Sequence, residues 1–158
     1  MLEFGILLSA LGCGLIAGAF FAFSTFVMKA LGALPAPQGI AAMQSINIVV
    51  INRWFMTALF GTALSCIVVA VMAFQRWDDP AAAYLVSGAP LYIVGTILVT
   101  ILFNVPRNNA LAVVTPTSME AASLWADYLS GWTFWNHVRT AAALAASALF
   151  IIALWTRP

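Results

Sequence analysis

Charge is scarce in this chain. Of 158 residues only 7% are charged, six Lys and Arg against five Asp and Glu, where a soluble domain carries roughly 25%. With 64% apolar residues and a mean hydropathy of +1.03, the sequence reads as an integral, multi-pass membrane protein. A net charge of +1 excludes the basic surface that nucleic acid would need. Cysteine is equally sparse: Cys13 and Cys66 both sit inside apolar runs and read as small buried hydrophobes. No CxxC occurs, so neither a thiol redox pair nor a zinc site is supported. The single histidine, His137, excludes a bis-His haem or a multi-His metal centre within one chain, and leaves single-His haem ligation open. The opening Met-Leu-Glu-Phe lacks a basic n-region, so the first apolar run is expected to stay in the protein rather than be cleaved as a signal peptide.

What is there is long apolar runs, and the few charges divide them. An all-α fold follows: one domain over 1–158, built as a four-helix transmembrane bundle with a short extra helical segment before the last span. The spans are expected at about 4–33, 54–74, 83–103 and 134–155, each long enough for about 30 Å of hydrocarbon. Gly14-x-x-x-Gly18-x-x-x-Ala22 in the first run has the spacing that lets membrane helices approach closely. Leu34-Pro-Ala-Pro-Gln-Gly39 breaks the helix, and the chain resumes so that Gln44, Asn47, Ile51, Phe55 and Thr62 share one helical face, with Arg53 pointing away as an interface anchor. Gln75 to Pro80 is a polar turn, and Trp77 fits an interface belt. Thr96, Thr100 and Asn104 line one face of the third span, which Asn104-Val-Pro-Arg-Asn-Asn109 is expected to end. Four spans put both termini on one side, and the other side carries Lys29, Arg53, Arg107 and Arg139. The positive-inside rule places that side in the cytoplasm, in a cell inner membrane.

The densest polar and aromatic stretch is Trp125 to Arg139, with three of the six Trp, the lone His and an Arg that opens the last apolar run. At about 100° per residue, Trp125, Tyr128, Trp132, Trp135, Asn136 and Arg139 share one stripe, whereas Asp127 and His137 fall off it. Gln44, Asn47, Asn104, Asn108, Asn136, Tyr128 and Arg139 converge on the same end of the bundle. Polar groups near hydrocarbon gather where they satisfy one another or line a cavity. The acids at that end are Glu120 and Asp127, neither on the Arg139 stripe. An arginine without a carboxylate partner suits an anionic ligand, and a flat aromatic wall suits a flat aromatic one. Interface belting of the Trp residues, and headgroup contacts for Arg139, are the competing readings.

Four motifs in order extend this reading. Phe23-Ser24 with Met28, Met43-Gln44-Ser-Ile-Asn47, Asn104-Val-Pro-x-Asn108 and Trp132-x-x-Trp135-Asn136-His137-x-Arg139 resemble the anthrone oxygenase-like family of four-helix membrane proteins (domain of unknown function 1772) over nearly the whole chain. The resemblance implies a small membrane oxygenase that uses O₂ without added metal or flavin, its substrate a flat, acidic, anthrone-like aromatic. On that footing Arg139 would hold the enolate oxygen, with Asn136, Asn104 or Gln44 as further donors and the Trp wall stacking the rings. Asn47, Asn108, Trp125, Tyr128, Trp132 and Trp135 would complete the binding surface. His137 or Asp127 would serve as base, through water if needed, provided Gly131 distorts the helix enough to turn them inward. A lipid-soluble substrate would enter from the bilayer. The alternative is a non-catalytic module: a binder of a small lipophilic molecule or lipid, or an accessory subunit of a membrane complex, with homo-oligomerisation left open.

Overall fold

A computed structural model describes residues 2–157. Uncharged runs in lipid have no water to bond their backbone, so they close their hydrogen bonds internally as helices. Among the described residues, four helices are long and apolar enough to cross a membrane: α1 (Leu2–Gly32), α3 (Arg53–Phe74), α4 (Ala82–Ala112) and α5 (Ala121–Thr156). Between the first two lies a fifth, shorter helix, α2 (Ala36–Val49). The four spans form a ring in which α1 and α4 each touch both α3 and α5.

Several boundaries differ from the sequence expectation, each for a local reason. The third span does not stop at Asn104. It runs on to Ala112 through two π-helical segments, Ile93–Leu98 and Thr100–Asn104, lying between Pro90 and Pro106. The second segment contains the turn before Pro106: a proline deprives that turn of a donor and crowds the carbonyl four residues back, and a widened turn absorbs both defects without ending the helix. The segment before the last span is helical, but it is continuous with the span as one 36-residue helix, and Gly131 does not break it. Instead, Gly131 leaves room for the Arg107 guanidinium, which lies across α5. The face expected to carry Gln44 through Thr62 is divided between α2 and α3. Asn52 caps the new helix, its Oδ1 accepting from the amides of Trp54 (3.0 Å) and Phe55 (3.1 Å).

Close approach between helices comes from other small residues than the Gly14/Gly18 pair. A Cβ at Gly12 would overlap Thr62, and one at Gly95 would overlap Ala142, whereas Gly18 faces open space and Gly14 has only an ordinary contact with Ser147. Buried hydroxyls tie the spans: Ser147 Oγ donates to the Ala10 carbonyl (2.8 Å), Tyr92 Oη to the Leu59 carbonyl (3.1 Å), and Ser9 and Ser65 share a 2.8 Å bond. Cys13 and Cys66 are buried with their sulfurs 3.7 Å apart. At the terminal end, Arg157 pairs with Asp79 at 3.2 Å, the one ion pair among the described residues.

Helix lengths place the functional end. At 1.5 Å per residue, the 22 residues of α3 span about 33 Å, close to the hydrocarbon thickness. The 31 residues of α1 and α4 and the 36 of α5 span about 46 Å and 54 Å. The Arg157–Asp79 pair holds the end of α5 level with the turn between α3 and α4, so the excess length of α5 extends past the start of α3, at the end where α2 sits. Gly39 lets α2 lie down there, since a Cβ would collide with the Leu31 carbonyl and the Trp125 ring. Two of the glycines of α1, Gly12 and Gly18, should respond differently to substitution. Gly12→Ala is expected to lower stability by about 1–3 kcal/mol through overpacking against Thr62, while Gly18→Ala is neutral or slightly stabilising; thermal unfolding in detergent compares them.

Candidate functional site

Beneath α2 the bundle holds a cavity of about 270 Å³. Its walls are mostly apolar and aromatic, with Phe20 and Phe23 of α1, Met43 and Ile46 of α2, Phe55 and Leu59 of α3, and Trp132 of α5 among them; Asn47, Thr100, Asn108 and Arg139 supply the polar edge. Arg139 is 4% exposed. Its Nη2 donates to Asn136 Oδ1, one turn back on α5 (2.6 Å), and its Nη1 donates to Thr100 Oγ1 on α4 (3.1 Å). The guanidinium carbon lies 4.1 Å from the centre of the Phe20 ring and 5.1 Å from that of Trp132, two cation–π contacts to a buried cation. Nε has no hydrogen-bond partner, and no carboxylate reaches the group among the described residues. A buried guanidinium held by neutral groups keeps its full charge directed at whatever occupies the cavity.

Asn136 explains how the cation is held. It is fully buried, and its Nδ2 donates to the Phe20 carbonyl (2.7 Å) and to Ser24 Oγ (2.7 Å) while its Oδ1 faces Arg139. The donated bond meets α1 at the entry to its π-helical segment, Phe23–Val27. Ser24 and Thr140 share a further 3.1 Å bond. Asn104 is also buried, donating to the Trp132 carbonyl (3.2 Å) with its Oδ1 unpartnered. Neither Asn104 nor Asn136 lines the cavity; both sit behind it and fix α4 and α1 against α5.

The aromatic stripe is a stack. Trp125, Tyr128 and Trp132 follow one another with centroid spacings of 5.6 and 6.2 Å and small interplanar angles. Asn108 sets its edge, its Oδ1 accepting from Tyr128 Oη (2.8 Å) and from Trp132 Nε1 (2.9 Å), while Asn47 Nδ2 reaches Tyr128 Oη at 3.5 Å. Trp132 alone of the stack lines the cavity; Trp125 and Tyr128 support it from above. Trp135 turns to the outer side, stacked on Phe103 at 3.6 Å.

The remaining expected residues lie elsewhere. Gln44 clamps α2 to the end of α4, its Nε2 donating to the carbonyls of Leu111 and Val114, both at 2.9 Å. His137 is exposed in a separate groove between α1 and α5, with Lys29, Ser130 and Thr133. Asp127 is exposed near Arg107. Their position follows from the continuous helix: with no distortion at Gly131, residues off the stripe stay off it. Phe20 and Phe23 were not foreseen as wall residues, since an aromatic inside an apolar run looks the same whether it faces lipid or a cavity, whereas the sequence periodicity already places Phe55 on one face with Asn47. Removing the shared acceptor should show how the stack is supported: Asn108→Ala leaves the Tyr128 hydroxyl and Trp132 Nε1 without their acceptor and is expected to cost about 1–3 kcal/mol, together with a shift in tryptophan emission, both read by fluorescence-monitored unfolding.

Searches of curated proteins and of solved structures found no match. The profile of the family described as anthrone oxygenase matches residues 51–149, which contain α3, α4 and all of α5 that faces the cavity. Thr100, Asn104, Asn108, Trp132, Asn136 and Arg139 fall inside that stretch, whereas Phe20, Phe23 and Asn47 precede it. Since the match takes in well over half of the sequence, the chain belongs to the anthrone oxygenase family.

Proposed function

We propose that this protein is a membrane-bound oxygenase that uses O₂ on a flat, acidic, anthrone-like aromatic, with Arg139 as the group that stabilises the substrate anion. The observation that carries the reading is the buried guanidinium at the polar edge of an aromatic cavity, with no carboxylate neutralising it and its Nε free. A methylene flanked by two aryl rings and conjugated to a ketone loses a proton to give an enolate, whose charge rests on oxygen. A preorganised cation in a dry site favours that form, because no solvent must rearrange as the charge develops. Attack of the carbanion on O₂ gives a peroxide anion. It takes back a proton, and loss of water from the hydroperoxide leaves a second carbonyl. The balance is one CH₂ and one O₂ giving one C=O and one H₂O, and no cofactor enters it.

The cavity walls assign further roles. Trp132, Phe20 and Phe23 would stack the ring system, and Asn47 and Asn108 would orient its oxygen substituents. Asn136 is a positioning residue that aims Arg139. The lining residues include no His, Asp or Glu, so the proton is passed to water at the Asn47–Asn108 edge and returned to the peroxide. That same lack of a basic side chain favours a second reading, a non-catalytic binder of an aromatic lipophile, which would bind anthrone without consuming O₂.

Anthrone-dependent O₂ uptake by the protein in lipid nanodiscs separates the two. The oxygenase reading expects uptake by the wild type. It expects a fall in kcat of about 10²–10³-fold in Arg139→Lys, the scale for losing one preorganised oxyanion donor, with helix content retained by circular dichroism. His137→Ala and Asp127→Ala are expected to keep wild-type turnover. Binding of anthrone with no O₂ uptake by the wild type would overturn the catalytic reading.

A further inference from the structure

The cavity is roofed on the water side. Met43 is buried, Ile46 and Asn47 are half-buried, and the Gln44 clamp onto Leu111 and Val114 fixes α2 over the projecting end of α4. It is open on another side. α3 packs against the Ala82–Tyr92 half of α4, where Tyr92 Oη bonds the Leu59 carbonyl, and draws away from the half that begins at Ile93. The separation coincides with the two π-helical segments between Pro90 and Pro106. Residues on both banks of the gap line the cavity and also reach the outer surface. Phe60 of α3 is 52% exposed and Ile101 of α4 is 50% exposed, with Ile51 and Val105 above them. All four are apolar.

Depth decides what lies outside this gap. Arg53 and Trp54 are exposed at the start of α3, the cation over the indole at 4.7 Å, an arrangement suited to the headgroup boundary. Phe60 is seven residues further on, about 10 Å below that boundary at 1.5 Å per residue, and so faces acyl chains rather than water. We propose that the gap between α3 and the upper half of α4, bordered by Phe60 and Ile101, is the entrance by which an apolar ligand passes sideways from the acyl-chain layer into the Arg139 cavity. The inference rests on the cavity being a ligand site, as the functional reading holds. It adds a requirement on the ligand: the form that enters is uncharged and lipid-soluble, and it ionises only once it is beside Arg139. An anion would face the cost of crossing hydrocarbon first. Phe60 and Ile101 then select for width rather than for charge.

Thiol labelling tests the entrance without any turnover, so a failure of the oxygenase reading and a failure of this one are separable. Met56 lines the cavity, and Met56→Cys is made in a Cys13→Ala, Cys66→Ala background in nanodiscs. Val68→Cys, on the exposed face of α3, reports delivery of reagent through lipid. N-benzylmaleimide, which partitions into the bilayer, is expected to label Met56→Cys, and a charged sulfonatoethyl methanethiosulfonate to label it at least about tenfold more slowly relative to the same thiol unfolded in detergent. Adding Ile101→Trp, or independently Phe60→Trp from the other bank, should slow the maleimide reaction about tenfold at Met56→Cys and not at Val68→Cys, as when entry waits on a side chain moving aside. Equal labelling by the charged reagent, no effect of either tryptophan, or no labelling of Met56→Cys by the maleimide would each overturn the lateral entrance.

Discussion

A guanidinium inside a membrane bundle is the constraint around which the rest is arranged. Arg139 is buried between the spans, and its charge cannot be left without partners there. The protein meets this with neutral groups: an amide one turn away, a hydroxyl on α4, and two ring faces. Each of those partners must in turn be held, which is why Asn136 also bonds the Phe20 carbonyl and Ser24 on α1. The guanidinium and its amide thereby connect three of the four spans. A carboxylate would have satisfied the arginine more cheaply, but it would also have cancelled the field that an anionic ligand needs.

The irregularities of the helices cluster at the same level. The π-helical turn of α1 lies where Asn136 meets it, and the two in α4 contain Thr96, Thr100 and Asn104. Widened turns at functional levels of a helix are a recurrent device, because they shift the register of side chains without ending the element. Here they bring Thr100 to the arginine and Asn104 to the back of α5, while the upper half of α4 moves off α3. One distortion thus supplies a ligand for the cation and an opening in the wall.

Much of the architecture could be read before any coordinates. Apolar runs bounded by charges identified four spans, because in lipid hydrophobic length is close to sufficient for a helix. The single-helix stripe was legible too, except at Trp135: Trp125, Tyr128, Trp132, Asn136 and Arg139 are all buried on one face of α5, whereas Trp135 stacks on Phe103. What misled was punctuation. Pro106 with its neighbouring asparagines looks like a helix end by the rules of soluble proteins, yet α4 passes through it, since a bilayer protein finds it cheaper to widen a turn than to expose backbone. Gly131 looks like a hinge and is a seat for Arg107.

Composition and periodicity therefore decided the membrane class, the number of spans and which residues of one helix share a face. Those properties depend on short-range geometry and on transfer from water to lipid, and both are written along the chain. Which faces meet was settled only by the tertiary packing. Asn108 and Gln44 are both amides at the same end of the bundle, yet one orders the aromatic stack and the other clamps the roof. Phe20 faces the arginine while Phe21 faces outward, a difference set by the rotation of α1 against α5. An α-helix in lipid is stable at any rotation about its axis until its neighbours choose one, and that choice is made by contacts far apart in sequence.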